Sequence, residues 1–297
     1  MHSAPQFLHI SGELVLFLAP LVAFVISFFT SMAGVSGAFL LLPFQVSLLG
    51  FTSPSVNATN FLFNVIGCPG GVFRFVREKR MIWPLALWIT AGTLPGIFLG
   101  YYVRVRYLPD PRLFKFFVGF VLLYIGLLLF RNSLRQVAGK PGAAGKDFTI
   151  GSVKTSWSSI DYSFRGEQVH VKTPTLSAFS FFVGIIGGIY GVGGGALMVP
   201  FCVTFLRIPV HTVAGSTLFA TFAASISGVF FYSFVPVNGE TAPPDWILGI
   251  LLGIGGLAGM YCGAKFQKKV PEKWIKIMLS VIIILIAAKY LSPLFSK

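Results

Sequence analysis

Gly191-Val-Gly-Gly-Gly-Ala-Leu-Met-Val-Pro-Phe201 repeats, 157 positions on, an earlier stretch, Gly34-Val-Ser-Gly-Ala-Phe-Leu-Leu-Leu-Pro-Phe44. The same offset runs without a gap to Gly71-Val-Phe73 against Gly228-Val-Phe230 and holds 12 identities in 40 positions. Farther along, Gly92, Gly96 and Gly100 match Gly255, Gly259 and Gly263, and Leu108-Pro-Asp110 matches Val270-Pro-Glu272. Two unrelated apolar stretches would not share glycines and the paired Pro43 and Pro200 in register. The chain reads as a duplication, and self-similarity at a fixed period governs the fold.

Composition names the solvent of that duplication. The chain is 55% hydrophobic and 11% charged, with a mean hydropathy of +0.81, too apolar for a soluble domain of 297 residues. A hydrocarbon core of about 30 Å needs roughly 20 helical residues to cross it. Continuously apolar segments without period-2 alternation favour helices over a barrel. Each half divides into five such segments, near 14–33, 36–50, 54–73, 82–103 and 112–131, then near 175–190, 193–207, 210–233, 245–264 and 273–291. An odd number per repeat makes the second copy enter the membrane from the opposite side. The expected fold is therefore an all-α integral membrane protein. It has two five-segment repeats of inverted topology, 1–131 and 174–297, with short, glycine-broken helices near the midplane and a linker over 132–173.

The formal charge of +14 sits in short clusters between apolar segments, such as Arg74-Phe-Val-Arg-Glu-Lys-Arg80 and Lys265-Phe-Gln-Lys-Lys269. That distribution follows the cytoplasmic bias of Lys and Arg in membrane proteins and argues against nucleic acid. With Arg74–Arg80 in the cytoplasm, Arg207, Lys265–Lys269 and the linker join it, and Gln45–Ser55 and Ser233–Asp245 lie outside. Only Arg104, Arg106 and Arg112 run against the rule, as an ordinary exception or as a basic funnel for anions. In the linker, Asp161–Val171 alternates like a small cytoplasmic hairpin that tethers the halves. The first apolar segment is long enough to stay as a span, which gives a multi-pass protein of a bacterial inner membrane. Cys68, Cys202 and Cys262 are isolated in apolar context, so neither a disulfide framework nor a metal site is expected. No cofactor motif, paired catalytic carboxylate or Walker loop is found, which argues against an enzyme or an ATP-driven pump. Nothing in the sequence sets an oligomeric state.

Chemistry concentrates on the second and third segments of each half. The second ones are short and open on Gly34, Ser36 and Gly37, and on Gly191, Gly193, Gly194 and Gly195. Glycine at that density breaks a helix and frees backbone N–H groups toward a cavity. Interrupted segments at matching places in two repeats point to a transporter's central site, where helix N-termini attract anions. The third segments add Asn57, Asn60 and Asn64 on one helical face, and the repeat places Thr217, Thr221 and Ser225 opposite Asn60, Asn64 and Cys68, with Ser216 beside them and His211 near the start of that helix. These groups either donate to an oxyanion or hold the bundle together by interhelical hydrogen bonds. A titrating His211 could couple transport to protons. The spans lack internal Asp and Glu, which disfavours a cation carrier. The glycine triads fit close helix packing of the small-xxx-small kind.

Gly191-Val-Gly-Gly-Gly-Ala-Leu-Met-Val-Pro, then Pro209-Val-His-Thr-Val-Ala-Gly-Ser-Thr217 and Asp245-Trp246, resemble the TauE/SafE sulfite exporter family over nearly all of both halves. The resemblance implies export of sulfite or of an organosulfonate such as sulfoacetate. It carries a substrate role to Gly191, Gly193, Gly194, Gly195, His211, Ser216 and Thr217. The first copy departs from the pattern: Ser36 and Ala38 replace glycines, and Asn57-Ala-Thr-Asn60 stands in place of Ala-Gly-Ser-Thr. The two half-sites are thus expected to meet different ends of an asymmetric solute. A carboxylate permease, or a sensory or assembly component acting through the linker, stays open as an alternative.

Overall fold

The computed structural model describes residues 12–32, 34–135, 150–164, 166–206, 208–237, 239–267 and 272–292. Met1–Ser11, Gly139–Gly145, Arg207 and part of the Lys265–Lys269 cluster lie outside them. Ten helices and three strands follow in order: α1 (Gly12–Met32), α2 (Ala38–Ser47), α3 (Ser55–Arg77), α4 (Trp83–Tyr107), α5 (Pro111–Arg135), β1 (Ile150–Thr155), β2 (Ser159–Phe164), β3 (Glu167–Lys172), α6 (Thr173–Tyr190), α7 (Gly195–Thr204), α8 (Val210–Phe234), α9 (Trp246–Phe266) and α10 (Glu272–Leu291). Five of the described helices, α4, α5, α6, α8 and α9, are long and apolar enough to cross a membrane. The amides on α3 and the arginines Arg74 and Arg77 of its last turn dilute the hydropathy of a helix that is 23 residues long.

The second segments fold as two 10-residue helices, α2 and α7. At 1.5 Å per residue each is about 15 Å long, half the hydrocarbon thickness. Both start at glycines. Gly34 lies at φ 76° after α1, and Gly191, Gly193 and Gly194 lie at φ 74°, 75° and 72° between α6 and α7. L side chains rarely adopt that region.

The glycine triads fix how the long helices pack. A Cβ on Gly92, Gly96 or Gly100 of α4 would strike the carbonyl oxygen of Ser177, Phe181 or Ile185 of α6. A Cβ on Gly255, Gly259 or Gly263 of α9 would strike that of Pro20, Phe24 or Phe28 of α1. Each acceptor in α6 stands 157 positions after its counterpart in α1. Both registers ascend together, so α4 runs parallel to α6 and α9 parallel to α1. The missing side chains let backbones touch, which supplies dispersion contact where lipid offers no hydrophobic drive.

The linker adds what an all-helical reading leaves out, a three-stranded antiparallel sheet in the order β1-β2-β3. Strands β2 and β3 form the expected hairpin, and β1 extends it. Ile160, Tyr162 and Phe164 alternate inward along β2 and are buried. The Tyr162 hydroxyl meets the Thr212 hydroxyl at 2.8 Å, fastening the sheet to the start of α8. Burial pushes this phenol up to about 12. On the exposed edge, His170 bonds Asp161 at 2.6 Å and holds its carboxyl below the ordinary 3.8.

Helix α4 runs past the expected end near residue 103, so Arg104 and Arg106 stand in its last turn and not in a loop. Beyond α3, Arg80 is buried, donates to Glu78 Oε2 at 2.9 Å and to Gln267 Oε1, and lies over the Phe75 ring.

Candidate functional site

Helices α3 and α8 carry the polar faces that meet the two breaks. Asn57, Asn60 and Asn64 of α3 are all at 0% exposure, in a chain whose surroundings there are apolar. Asn57 Nδ2 donates to Ile189 O at 2.5 Å and to the Tyr232 hydroxyl at 3.2 Å. Asn60 Nδ2 donates to Ala38 O and to Gly191 O, each at 2.9 Å, and Asn64 Nδ2 to Val192 O at 3.2 Å. Asn60 therefore ties the start of α2 in one half to the break in the other. Its own oxygen accepts from Gln45 Nε2 at 3.3 Å.

On α8, the single hydroxyl hydrogen of Thr217 faces three acceptors, Gly34 O across the break at 3.3 Å and Val213 O and Ala214 O of its own helix at 3.1 Å each. Thr221 and Ser225 line the second break, where a Cβ on Gly193 would come within 2.7 Å of Ser225 Oγ and one on Gly195 would collide with Thr221 Oγ1. The bonds from Asn60 to Gly191 and from Thr217 to Gly34 are equivalent under the offset of 157. So are the approaches of Gly191 to Asn57 and Gly34 to Ala214, and of Gly228 to Phe61 and Gly71 to Leu218.

The carbonyls of Ile189, Gly191 and Val192 lie at or just after the end of α6, where a helix leaves its carbonyls without an intrahelical partner, and the asparagine amides satisfy them. At the other side of each break the N-termini of α2 and α7 begin at Gly37 and Gly194, and neither has a side-chain cap. Their first N–H groups and the helix dipole suit an anion. Beside them, Ser36 Oγ, Asn57 Oδ1 and Ser225 Oγ are buried without a hydrogen-bond partner among the described residues.

The structure thus brings Gly34, Ser36, Gly37, Asn57, Asn60, Asn64, Gly191, Gly193, Gly194, Gly195, Thr217 and Thr221 to the crossing of α3, α8 and the two breaks. Ser216 points elsewhere, donating to Ile82 O at 2.9 Å ahead of α4. His211 stands at the sheet end of α8, one residue from Thr212 and about 9 Å along the helix from Thr217 at 1.5 Å per residue. Sequence reading passed over Gln45 and Tyr190, whose hydroxyl donates to Phe39 O at 2.6 Å across the same crossing. A lone amide inside a ten-residue apolar helix was the signal for Gln45.

Two lateral cavities flank the crossing. One of about 460 Å³ includes Phe29, Leu40, Phe44 and Ile286 in its lining, and another of about 240 Å³ includes Ile186, Leu197, Phe201 and Tyr124. The first three of each set are again 157 positions apart. Their linings are mainly apolar and offer few of the donors that an anion requires.

A family model described as "Sulfite exporter TauE/SafE" matches residues 19–290. The chain is 23% identical over 266 residues to the probable membrane transporter protein YunE of Bacillus subtilis (strain 168), covering 87% of this chain and 91% of that one. It is 32% identical over 93 residues to the probable membrane transporter protein MJ0441 of Methanocaldococcus jannaschii, covering 30% and 33%. No solved structure matches the chain.

Proposed function

We propose that this chain, which belongs to the sulfite exporter TauE/SafE family, is a secondary transporter that exports a small sulfur oxyanion or organosulfonate, such as sulfite or sulfoacetate, by alternating access. It is a membrane transporter, not an enzyme. Its two halves are repeats of opposite orientation in a bacterial inner membrane, and the solute sits between the breaks. Support for the inversion comes from the parallel pairs α1 with α9 and α4 with α6, each joining helices of different rank in the two halves.

The observation that carries the substrate class is the pair of uncapped glycine N-termini at α2 and α7, flanked by the buried Ser36 and Ser225 hydroxyls, which have no hydrogen-bond partner among the described residues. N–H dipoles stabilise negative charge without a fixed cation, which keeps binding weak enough for release. In the closed arrangement the side chains of Asn57, Asn60, Asn64 and Thr217 latch the breaks to the opposite half, and rocking of the halves exchanges these latches as the site opens to one side and then the other. The unequal breaks, Ser36 and Ala38 against Gly193 and Gly195, suit a solute with two different ends.

Reconstituted in proteoliposomes loaded with sulfite, the protein should give saturable sulfite efflux that sulfoacetate inhibits and acetate does not. Flux of lactate or acetate without sulfite flux would overturn the sulfur-anion assignment and leave a carboxylate permease.

A further inference from the structure

Arg104 is a buried cation that lacks a counter-ion. It lies in the last turn of α4 at 0% exposure. No carboxylate pairs with it among the described residues, whose ion pairs are Arg74 with Glu78, Arg80 with Glu78 and His170 with Asp161. One guanidinium nitrogen, Nη1, donates to Leu108 O just past its own helix. Nε and Nη2 are buried and have no hydrogen-bond partner among the described residues. The ring of Phe114 lies 3.8 Å below the guanidinium carbon.

The dipole at a helix C-terminus and a cation–π contact each return only a small part of what an ion gives up on leaving water. Desolvation of an unpaired ion stays costly even after its surroundings relax. The dipole and the ring together fall short of that cost, and they leave two N–H-bearing nitrogens unused.

The opposite end of the molecule shows how such a charge is otherwise handled. Under the 163-position offset of the glycine triads, Arg104 corresponds to Gln267, and under the 157-position offset Phe75 corresponds to Tyr232. At the Gln267 end a buried arginine is also present, Arg80, stacked on Phe75 and bonded to Gln267, but Glu78 neutralises it. At the Arg104 end no acidic residue takes that place.

Arg104 also stands beside the solute crossing. Tyr101, one helical turn before it on the same face of α4, packs its ring 4.6 Å from Tyr232, and the Tyr232 hydroxyl accepts from Asn57. The loop after α8 closes over this end: Tyr101 donates to Val235 O, and Val237 and Ala242 join Tyr101 and Tyr232 in one apolar cluster.

We propose that Arg104 is a second anion-binding point on the solute path, located under the 235–245 loop and completed by the transported anion as its counter-ion. The proposal rests on the transporter reading above. Two free nitrogens of one planar guanidinium form a fork that matches two oxygens of a sulfite, sulfonate or carboxylate group. The charge draws the anion past the loop and hands it through Tyr232 and Asn57 to the neutral donors at the breaks. The basic character of this end, contrary to the usual charge bias, then has a use.

The test is an anion titration of melting temperature with the full-length protein in detergent, using sulfite, sulfate, acetate and chloride at matched ionic strength. Wild type should be stabilised by sulfite. In Arg104→Gln the apparent Kd for sulfite should rise about tenfold, the loss of one charge-assisted interaction. Arg104→Lys, which keeps the charge and loses the fork, should show an increase of about threefold. A purely structural arginine would lower the melting temperature without anion and leave Kd unchanged, and an unchanged Kd in Arg104→Gln would overturn the proposal. Should that variant fail to fold, an unchanged Kd in Arg104→Lys overturns it instead. Stabilisation of wild type by acetate alone would remove the sulfur-anion reading, and the same variants titrated with acetate would then judge Arg104. A wild type indifferent to all four anions overturns both.

Discussion

The break before α7 and the break before α2 perform the same turn with different residues. In the second, Gly191, Gly193 and Gly194 all lie at positive φ, and Gly195 faces Thr221 with no room for a side chain. In the first, Gly34 alone among the described residues lies at positive φ, and Gly37, at φ −67°, occupies an ordinary helical conformation. Ser36 and Ala38 are tolerated there because neither position demands a left-handed backbone. A glycine motif therefore degrades residue by residue in one copy of a repeat, and what survives marks where geometry leaves no choice.

Exchanging residues between the breaks should expose that difference. Gly195→Ala, which imports the residue found at position 38, drives a Cβ into Thr221 Oγ1 and to 2.6 Å from Thr217 O. We expect a loss of about 3 kcal/mol or more, read as a large fall in melting temperature, against about 1 kcal/mol for the reverse change, Ala38→Gly. Equal losses would mean that the breaks are interchangeable.

The polar latches differ in the same sense. Asn60→Ala strands the Gly191 carbonyl and also removes the bonds to Ala38 O and from Gln45 Nε2, and should cost about 2 kcal/mol, because a buried acceptor without a donor costs about 1 to 3 kcal/mol. Thr217→Val strands only Gly34 O and should cost about 1 kcal/mol. Chemical denaturation of both variants would rank them, and a Thr217 loss exceeding that of Asn60 would reverse the ranking of Asn60 as the stronger latch between the halves. The backbone requirement is a smaller test. Gly193→Ser should cost at least about 1 to 2 kcal/mol from the left-handed φ, with crowding against Ser225 Oγ added to it, whereas Ser36→Gly should change the melting temperature little.

Much of this was legible in the sequence because a membrane helix has few ways to hide a polar or glycine residue. Gly92, Gly96 and Gly100 mark a backbone contact by spacing alone, and the three asparagines mark one helix face. Their partners were not legible. That Asn60 reaches Gly191, 131 positions away, depends on how α3 crosses the second break, and no local pattern encodes a crossing. His211 and Ser216 illustrate the opposite failure. Both belong to the motif, yet a 25-residue helix spreads its residues along its length and around its circumference, so one stands beside the sheet and the other turns to Ile82. Strand β1 escaped because IGSVKT has five exposed positions and one half-buried one, Ile150, and no alternating apolar signal of its own.

The central claim, that equivalent segments of the halves face opposite sides of the membrane, can be tested by labelling. In a protein with Cys68, Cys202 and Cys262 changed to Ser, single cysteines would replace Lys79, after α3, and Gly239, after α8. A membrane-impermeant thiol reagent applied to intact cells and to inverted vesicles then reads the side of each. The account predicts that the position 79 cysteine reacts only from the cytoplasmic side and the position 239 cysteine only from outside. Labelling of both from the same side would contradict it.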